Sequence, residues 1–161
     1  MIQFRDLRKG FDERAVLDGF TLDIADGETM VIIGFSGAGK SVALKHVVGL
    51  LHPDAGDVIV DGRAVSTLDR VALTALRRDI GYVFQFAALF DSLSVADNVA
   101  FGLRRRGLSD EEIGERVAEA LALVDLTGSD ARVPAELSGG MRKRVGIARA
   151  IALRPRYILY D

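Results

Sequence analysis

Gly34-Phe35-Ser36-Gly37-Ala38-Gly39-Lys40-Ser41 is the stretch that decides the fold of this chain. It fits the phosphate-binding pattern G-x-x-x-x-G-K-[ST], and residues 34–41 are called the P-loop below. Its glycines allow backbone conformations that turn successive N–H groups toward one point. The apolar run Met30–Ile33 before the loop predicts a buried parallel strand, and residues 40–51 predict the helix that leaves it. Strand, loop and helix in this order form the context that the pattern requires.

The P-loop assigns chemistry to two side chains. Lys40 would reach the β- and γ-phosphates of a nucleotide, and Ser41 would ligate Mg²⁺. The helix that follows would add the positive end of its dipole. We therefore expect ATP and Mg²⁺ as ligands. The expected ATP-binding residues of the loop are Gly34, Phe35, Ser36, Gly37, Ala38, Gly39, Lys40 and Ser41.

A second motif, Leu137-Ser138-Gly139-Gly140-Met141, lies far downstream at the start of a predicted helix that runs to about residue 153. Ser138 is a good N-cap, and the two glycines leave backbone N–H groups open to an anion. On its own this stretch is compatible with a plain capped helix start. Beside a P-loop, the sequence favours a helix start that is open to an anion.

Composition limits the classes of protein that fit. The 161 residues predict one domain, and 49% apolar with 27% charged residues is ordinary for a globular protein. A net charge of −2 argues against a general nucleic-acid binder, so no nucleic-acid partner is expected. No apolar run approaches the roughly 20 residues that span a bilayer, and no signal-peptide pattern stands at the N-terminus. The absence of cysteine excludes disulfides.

Other elements surround these motifs. Alternating Phe20, Leu22 and Ile24 predict a half-buried antiparallel strand, and Ser109 with Glu112 predicts a capping box. That box would open a helix whose apolar face is Ile113, Val117, Leu121 and Val124. Further strands are predicted at 58–60, 80–84 and 157–160, a helix at 67–78, and an irregular segment at 86–93.

The motifs together resemble the nucleotide-binding subunit of ABC transporters along nearly the whole chain. The P-loop matches at 34–41, and Ser138, Gly139 and Gly140 match the family signature. Gln85, at the end of a predicted strand, looks like the family's Q-loop glutamine. Residues 157–161 look like Walker B, with apolar or aromatic residues before Asp161.

This resemblance implies how the site works. In the family, two cassettes pair head to tail, and each ATP lies between one P-loop and the partner's signature. Gln85 would touch the metal or the lytic water, Ser138 and Gly140 would contact the γ-phosphate across the dimer, and Asp161 would hold Mg²⁺ through water. The catalytic residues would be Lys40 and Gln85, the metal site Ser41, Gln85 and Asp161, and the signature acting in trans Leu137, Ser138, Gly139, Gly140 and Met141.

Two residues are assigned to the base of the nucleotide. Phe11 resembles the aromatic residue of the family's A-loop, which stacks on adenine, and Val16 would line the same pocket. An ordinary strand aromatic is the alternative for Phe11.

The resemblance also implies a fold and partners. The expected fold is α/β: a P-loop NTPase core with a mostly parallel sheet, a small antiparallel β subdomain and an inserted helical subdomain. Residues 1–85 and 146–161 would form the core and β subdomain, and 86–145 the helical subdomain. The expected partners are a second ABC ATPase domain, as a homodimer, and a transmembrane permease subunit. The protein would be cytoplasmic and peripheral on the cytoplasmic face of the inner membrane.

Family features beyond Asp161 are missing. In the family a catalytic glutamate follows the Walker B aspartate directly. We therefore interpret residues 1–161 as an incomplete nucleotide-binding domain. The complete form would be an ATPase, and the 161-residue chain is expected to be inactive.

The predicted function is to couple ATP binding and hydrolysis to transport across a membrane. Phe35 stands where many family members have proline, and Met141 replaces the common glutamine of the signature. With that methionine, the stretch 84–90 resembles the ATPases of lipid transporters that work with MCE-domain proteins. This narrower resemblance predicts lipid as the transported class.

Three alternatives stay open. A P-loop kinase would share residues 34–41 but not the signature. A non-transport ABC ATPase of DNA repair would need a long coiled coil between Gln85 and the signature, and one of translation would carry two cassettes. A catalytically inert nucleotide-binding fragment is the third.

Charged side chains outside the motifs are interpreted as structural. The basic residues around the last helix favour a solvated helix face. They are Arg142, Lys143, Arg144, Arg149, Arg154 and Arg156. His46 and His52 precede the position of the family's switch histidine, so both are expected to be structural or solvated.

Overall fold

The chain begins with a long hairpin in the computed structural model, which describes residues 1–12 and 14–161. Strands β1 (Ile2–Phe11) and β2 (Arg14–Ile24) pair antiparallel. Strands β3 (Ala55–Val60) and β4 (Arg63–Ala64) complete a four-stranded sheet of order β2-β1-β3-β4. Helices α1 (Lys40–Val47) and α2 (Arg70–Arg78) follow β2 and β4, with a short 3-10 turn at Val65–Thr67.

Alternation of apolar and polar residues explains the sheet. Phe20, Leu22 and Ile24 are partly buried, whereas Thr21 and Asp23 between them are exposed, so the predicted antiparallel strand is confirmed. On the neighbouring strand, Ile2, Phe4 and Leu7 are buried. The rings of Phe4 and Phe20 meet edge to face with centroids 5.1 Å apart. Such a pair adds specific aromatic attraction to the apolar area that it buries.

The chain divides into two compact units, Met1–Arg77 and Arg78–Asp161. In the second unit, β5 (Ile80–Val83) and β6 (Tyr157–Tyr160) pair in parallel, with Ile80 opposite Tyr157 and Val83 opposite Tyr160. Between them come α3 (Val95–Arg104), α4 (Asp110–Leu123), a 3-10 turn (Pro134–Glu136) and α5 (Gly139–Ile151). The predicted division into 1–85 plus 146–161 and 86–145 stays a prediction.

The helices of the second unit pack around one apolar core. Val95, Val99, Leu103 and Val145 are fully buried there. The predicted capping box is present at the start of α4: Ser109 Oγ accepts from Glu112 N at 3.3 Å, and Ser109 N donates to Glu112 Oε2 at 3.1 Å. The apolar face predicted for this helix is buried at all four positions, Ile113, Val117, Leu121 and Val124.

The strand predicted at Met30–Ile33 is wrong for this structure. These residues have no strand hydrogen bonding among the described residues, and Val31 and Ile33 are 71% and 90% exposed. An apolar run becomes a buried strand only where neighbouring strands satisfy its backbone on both sides. The predicted helix 40–51 is also shorter, because Gly49 adopts a φ of +61° after α1 ends.

Two glycines allow the steric demands of the first sheet to be tested. Gly56 has a φ of +71°, and a Cβ there would lie 2.2 Å from Asp6 O. Gly62 has a φ of +77°, but a Cβ there would meet nothing within 4 Å. An alanine would therefore be strained in its backbone at either position, but its side chain would clash only at position 56.

We expect Gly56→Ala to lower the free energy of unfolding well beyond the loss in Gly62→Ala. The left-handed conformation costs either alanine about 1–2 kcal/mol. The clash with backbone atoms should add at least about 2 kcal/mol at position 56 only. Urea unfolding of both variants measures the difference, and equal losses would contradict the close approach of β1 to Gly56.

Candidate functional site: the P-loop and the loops around α5

The first part of the P-loop, residues 34–37, is an exposed turn that leads toward α1. Gly37 and Gly39 have φ values of +85° and +89°, the left-handed region that favours glycine. The loop closes on itself where Ala38 N donates to Phe35 O at 3.1 Å. No acidic residue lies in the first turn of α1. The positive end of this helix is therefore not neutralised by its own first turn, which suits an anion.

Lys40 spans the P-loop. Its Nζ donates to Gly34 O at 2.7 Å and to Phe35 O at 2.9 Å. The ammonium thus lies against the carbonyl groups at the entry of the loop. Ser41, the next residue, is half-buried in the first turn of α1.

The two residues predicted for the base lie in the same unit as the P-loop. Val16, half-buried in β2, lies against Gly39, where an added Cβ would be 3.0 Å from Val16 O and 3.1 Å from its Cγ1. Phe11 ends β1 and is 44% exposed, with Lys9 Nζ 5.6 Å from its ring centroid. An exposed aromatic face offers a stacking surface.

Gln85 lies in the second unit, in the loop that follows β5. Its side chain is exposed, and the adjacent Phe86 is 87% exposed. The irregular segment predicted here is confirmed, and the next two residues, Ala87 and Ala88, adopt φ values of +59° and +46°. Such a conformation is unusual for alanine and requires support from its surroundings.

The signature motif divides into an anchored part and an exposed part. Leu137 is buried in the core of the second unit, and Met141 packs against that core. Ser138 is the N-cap of α5, and its Oγ accepts from Met141 N at 3.2 Å. Gly139 and Gly140 are exposed, and a Cβ at either would meet nothing within 4 Å. The anchors thus hold an accessible helix N-terminus.

Asp161 follows β6 and is tied to β5. Tyr82 OH donates to Asp161 Oδ2 at 3.0 Å, and Asp161 N donates to Val83 O at 2.9 Å. Burial, together with this carboxylate, raises the pKa of the Tyr82 phenol well above its usual range. The phenol therefore stays protonated and remains a donor to Asp161.

The interpretation of the basic residues as one solvated face is partly wrong. Arg142 and Lys143 are exposed, as expected. Arg144 Nη1, however, donates to Val124 O and Asp125 O at 3.0 and 3.2 Å, which satisfies carbonyls at the end of α4. Arg149 donates to Ala88 O at 2.7 Å and to Ala87 O at 2.6 Å. The sequence alone carried no signal for these contacts, because the bound carbonyl groups lie far from Arg149 along the chain.

Asn98 was also missed by sequence reasoning. It is fully buried in α3, where its side chain makes hydrogen bonds to the loop before that helix. A single asparagine among apolar helix residues carries no motif, so the sequence offered only its polarity.

His46 lies on the buried side of α1 and is 2% exposed. Val42 O lies 2.7 Å from its Nδ1, so Nδ1 carries the donated proton. Burial lowers the pKa of His46 below its ordinary value of 6.5, against the opposing effect of that hydrogen bond. The structural role expected for this histidine is thus confirmed by its burial.

We expect His46 to weaken the fold in acid. Its folded-state pKa is lowered, so the unfolded chain binds the proton first. The stabilising contribution is complete above pH 6.5 and is lost as the pH falls below that value. The loss approaches at most about 1.4 kcal/mol per pH unit.

Urea unfolding from about pH 7.5 to about 5.5 tests this expectation. In His46→Asn, the free energy of unfolding should fall less steeply with pH than in the wild type. His52→Asn, at an exposed histidine, is the control. Parallel pH profiles for wild type and His46→Asn would contradict the assignment.

Within residues 1–12 and 14–161, no helix has the length and apolar character needed to cross a membrane. In the same residues, no cluster of three or more His, Cys, Asp and Glu side chains could hold a metal. The oxygen atoms of Ser41, Gln85 and Asp161 are donors of the type that Mg²⁺ prefers, and Mg²⁺ commonly binds through one or two protein oxygens plus substrate phosphates.

Known proteins are similar to this chain in sequence and fold. The methionine import ATP-binding protein MetN of Xylella fastidiosa is 47% identical over 165 residues, covering 100% of this chain and 49% of that protein. The sulfate/thiosulfate import ATP-binding protein CysA of the same organism is 44% identical over 164 residues, covering 99% of this chain and 46% of that protein. The chain thus spans about half the length of these curated relatives.

A solved structure gives the same answer for the fold. The ATP-binding cassette MJ0796, in a dimeric post-hydrolysis state bound to ADP and Pi, has a TM-score of 0.92 and 36% identity. The match covers 100% of this chain and 73% of that one. It confirms the predicted α/β fold of the ABC ATPase type. The sequence also matches the family described as ABC transporter over residues 17–161. Since that match takes in most of the chain, the chain belongs to the ABC transporter family and resembles its ATP-binding subunits.

Proposed function

We propose that this chain is the nucleotide-binding part of an ABC transporter ATPase and that its P-loop binds the triphosphate of ATP. The observation that carries the proposal is the position of Lys40, whose Nζ lies on the Gly34 and Phe35 carbonyls of the loop. Phosphate oxygens carry more charge than carbonyl oxygens and accept stronger hydrogen bonds from an ammonium group. An arriving triphosphate would therefore draw Lys40 away from the loop carbonyls.

The chemistry would be attack of water on the γ-phosphate. Phosphoryl transfer depends mainly on positioning and on stabilising the charge that spreads over the phosphate oxygens. Lys40 and the P-loop N–H groups would stabilise that charge, and Gln85 would orient the water. Ser41, Gln85 and Asp161 would hold Mg²⁺, which when bound neutralises charge on the β- and γ-phosphates.

The proposed ATP site is completed by a second cassette. Ser138, Gly139 and Gly140 are exposed at the N-terminus of α5, where a phosphate from another molecule has access. The related cassette MJ0796 is dimeric with ADP and Pi bound. Both observations support a homodimer in which each signature contacts the γ-phosphate held by its partner's P-loop.

A membrane permease is the second proposed partner. Phe86 is 87% exposed and Phe90 is 43% exposed in the loop that carries Gln85. Exposed aromatic side chains within one loop favour a protein interface. A cassette docked there would lie on the cytoplasmic face of the membrane.

The transported substrate stays a prediction. Relatives named for methionine import and for sulfate import have similar identities, 47% and 44%. Overall identity in this part of the sequence therefore does not distinguish between these substrates. Lipid transport rests on residues 84–90 and Met141 alone.

The first test is nucleotide binding. Lys40→Ala should lower the affinity for Mg·ATP at least about tenfold, because a cation that faces the phosphates is lost. Isothermal titration calorimetry on the full-length protein measures the dissociation constant. Lys45→Ala, in the last turn of the same helix, is the control. Equal affinity in wild type and Lys40→Ala would refute the proposed site.

The second test concerns the dimer. Ser138→Arg should leave ATP binding by the monomer intact and abolish ATP-dependent pairing, because a bulky side chain would fill the surface that receives the partner's phosphate. Light scattering with and without ATP measures the pairing. Ser109→Arg is a matched control, since it removes the N-cap of α4 at a similar cost of about 1 kcal/mol. ATP-dependent dimers of Ser138→Arg would contradict the proposal.

A further inference from the structure

The loop from Phe84 to Ser94, called the Q-loop segment below, is irregular, but side chains from two helices make hydrogen bonds to its backbone. It contains two consecutive left-handed residues, Ala87 and Ala88. A left-handed conformation costs a non-glycine residue about 1–2 kcal/mol, so the segment would not adopt this form without external contacts. Those contacts come from α5 on one side and α3 on the other.

Arg149 supplies the contact from α5. Its two terminal nitrogens donate separately to the carbonyl oxygens of Ala88 and Ala87, at 2.7 and 2.6 Å. These are the carbonyl groups of the two strained residues. A guanidinium group binds two acceptors with fixed geometry, which the point charge of a lysine does not reproduce. Arg149 therefore selects the strained conformation.

Close packing reinforces this contact one helical turn earlier. A Cβ at Gly146 would lie 3.1 Å from Ala87 Cβ and 3.2 Å from Ala87 Cα. Ala87 is 2% exposed. The backbone of α5 thus touches the Q-loop segment directly, and only glycine allows this approach without displacement.

Asn98 supplies the contact from α3. Its Oδ1 accepts from Phe90 N at 2.8 Å, and the two protons of its Nδ2 are shared among Phe90 O, Leu93 O and Ser94 O at 3.0–3.1 Å. Asn98 is fully buried, so these bonds are shielded from water. Residues 87–88 and residues 90–94 are thus held by different helices, while Gln85 and Phe86 remain exposed between β5 and the Arg149 contact.

We infer that Arg149, with Gly146 and Asn98, is a positioning residue that fixes the Q-loop segment to the signature helix. The same helix begins at the signature, with Ser138 as its N-cap, and carries Arg149 near its other end. A displacement of α5 is therefore transmitted to the loop that holds Gln85. The contacts of Arg149, Gly146 and Asn98 with the Q-loop segment are called the clamp below. The role of Gln85 in this inference rests on the proposed function, but the clamp does not.

Two variants of the full-length protein test the clamp, each with a matched control. Arg149→Lys keeps the positive charge and removes the guanidinium group that binds two carbonyl oxygens. Its control, Arg144→Lys, makes the same change on α5 at a residue that binds the carbonyl groups after α4. Gly146→Ala inserts a methyl group against Ala87. Its control, Gly114→Ala, adds the same methyl group in α4, where a Cβ meets nothing within 4 Å. Alanine is the better helix former, so helix propensity destabilises neither glycine variant.

Hydrogen exchange of residues 86–94 is the first measurement. Both test variants should exchange faster there by about tenfold or more, while the controls match the wild type. Unchanged exchange in Gly146→Ala and Arg149→Lys would overturn the inference. If Arg149→Lys does not fold, the glycine pair decides.

Steady-state ATPase kinetics is the second measurement. Arg149→Lys should lower kcat about tenfold with KM for ATP within about twofold, since the water is misplaced and the P-loop is untouched. In a Gln85→Ala background the same change should have no further effect, because both act through one group. Additive losses would overturn the positioning role. A wild type without turnover would refute the proposed function, and exchange alone would then decide the clamp.

Discussion

Backbone carbonyl groups outside regular structure need hydrogen-bond donors, and this constraint governs every loop of the site. Helices and sheets satisfy most of their carbonyl groups internally, whereas the P-loop and the Q-loop segment leave some of theirs for side chains to satisfy. In both places a long cation does so: Lys40 bonds Gly34 O and Phe35 O, and Arg149 bonds Ala87 O and Ala88 O. The two cations differ in their freedom to change partners. A flexible ammonium group can exchange carbonyls for phosphates, whereas a partly buried guanidinium group holds its loop in place.

The sequence was most informative where local rules decide the conformation. The capping box at Ser109 and Glu112, the buried face of α4 and the N-cap Ser138 depend on neighbours a few residues away. The failed strand at Met30–Ile33 shows the limit of such rules. Its apolar side chains favour burial, but a buried strand needs partner strands beside it. The described residues contain no strand next to this run.

Site residues were predictable in the same uneven way. The P-loop and the signature follow linear patterns, so Lys40 and Ser138 could be named from spacing alone. The side chains that support the loops lie far along the chain from the backbone groups that they bind, as Arg149 does from Ala88. Their function depends on tertiary contacts, and composition made Arg149 look like one more solvated cation. Hydrogen bonds from a side chain to a backbone group far along the chain leave no periodic signal in a single sequence.

The hydrogen bond from Tyr82 to Asp161 can be followed by tyrosine fluorescence. The chain contains three tyrosines and no tryptophan, so phenol emission is not masked by indole. A carboxylate that accepts a hydrogen bond from a phenol quenches tyrosine fluorescence, and Tyr82 OH donates to Asp161 Oδ2 at 3.0 Å. A cation that draws Asp161 away would relieve the quenching. Tyr82, in the strand that leads to Gln85, is thus an intrinsic fluorescent probe of the charge at Asp161, which follows the neighbouring strand β6.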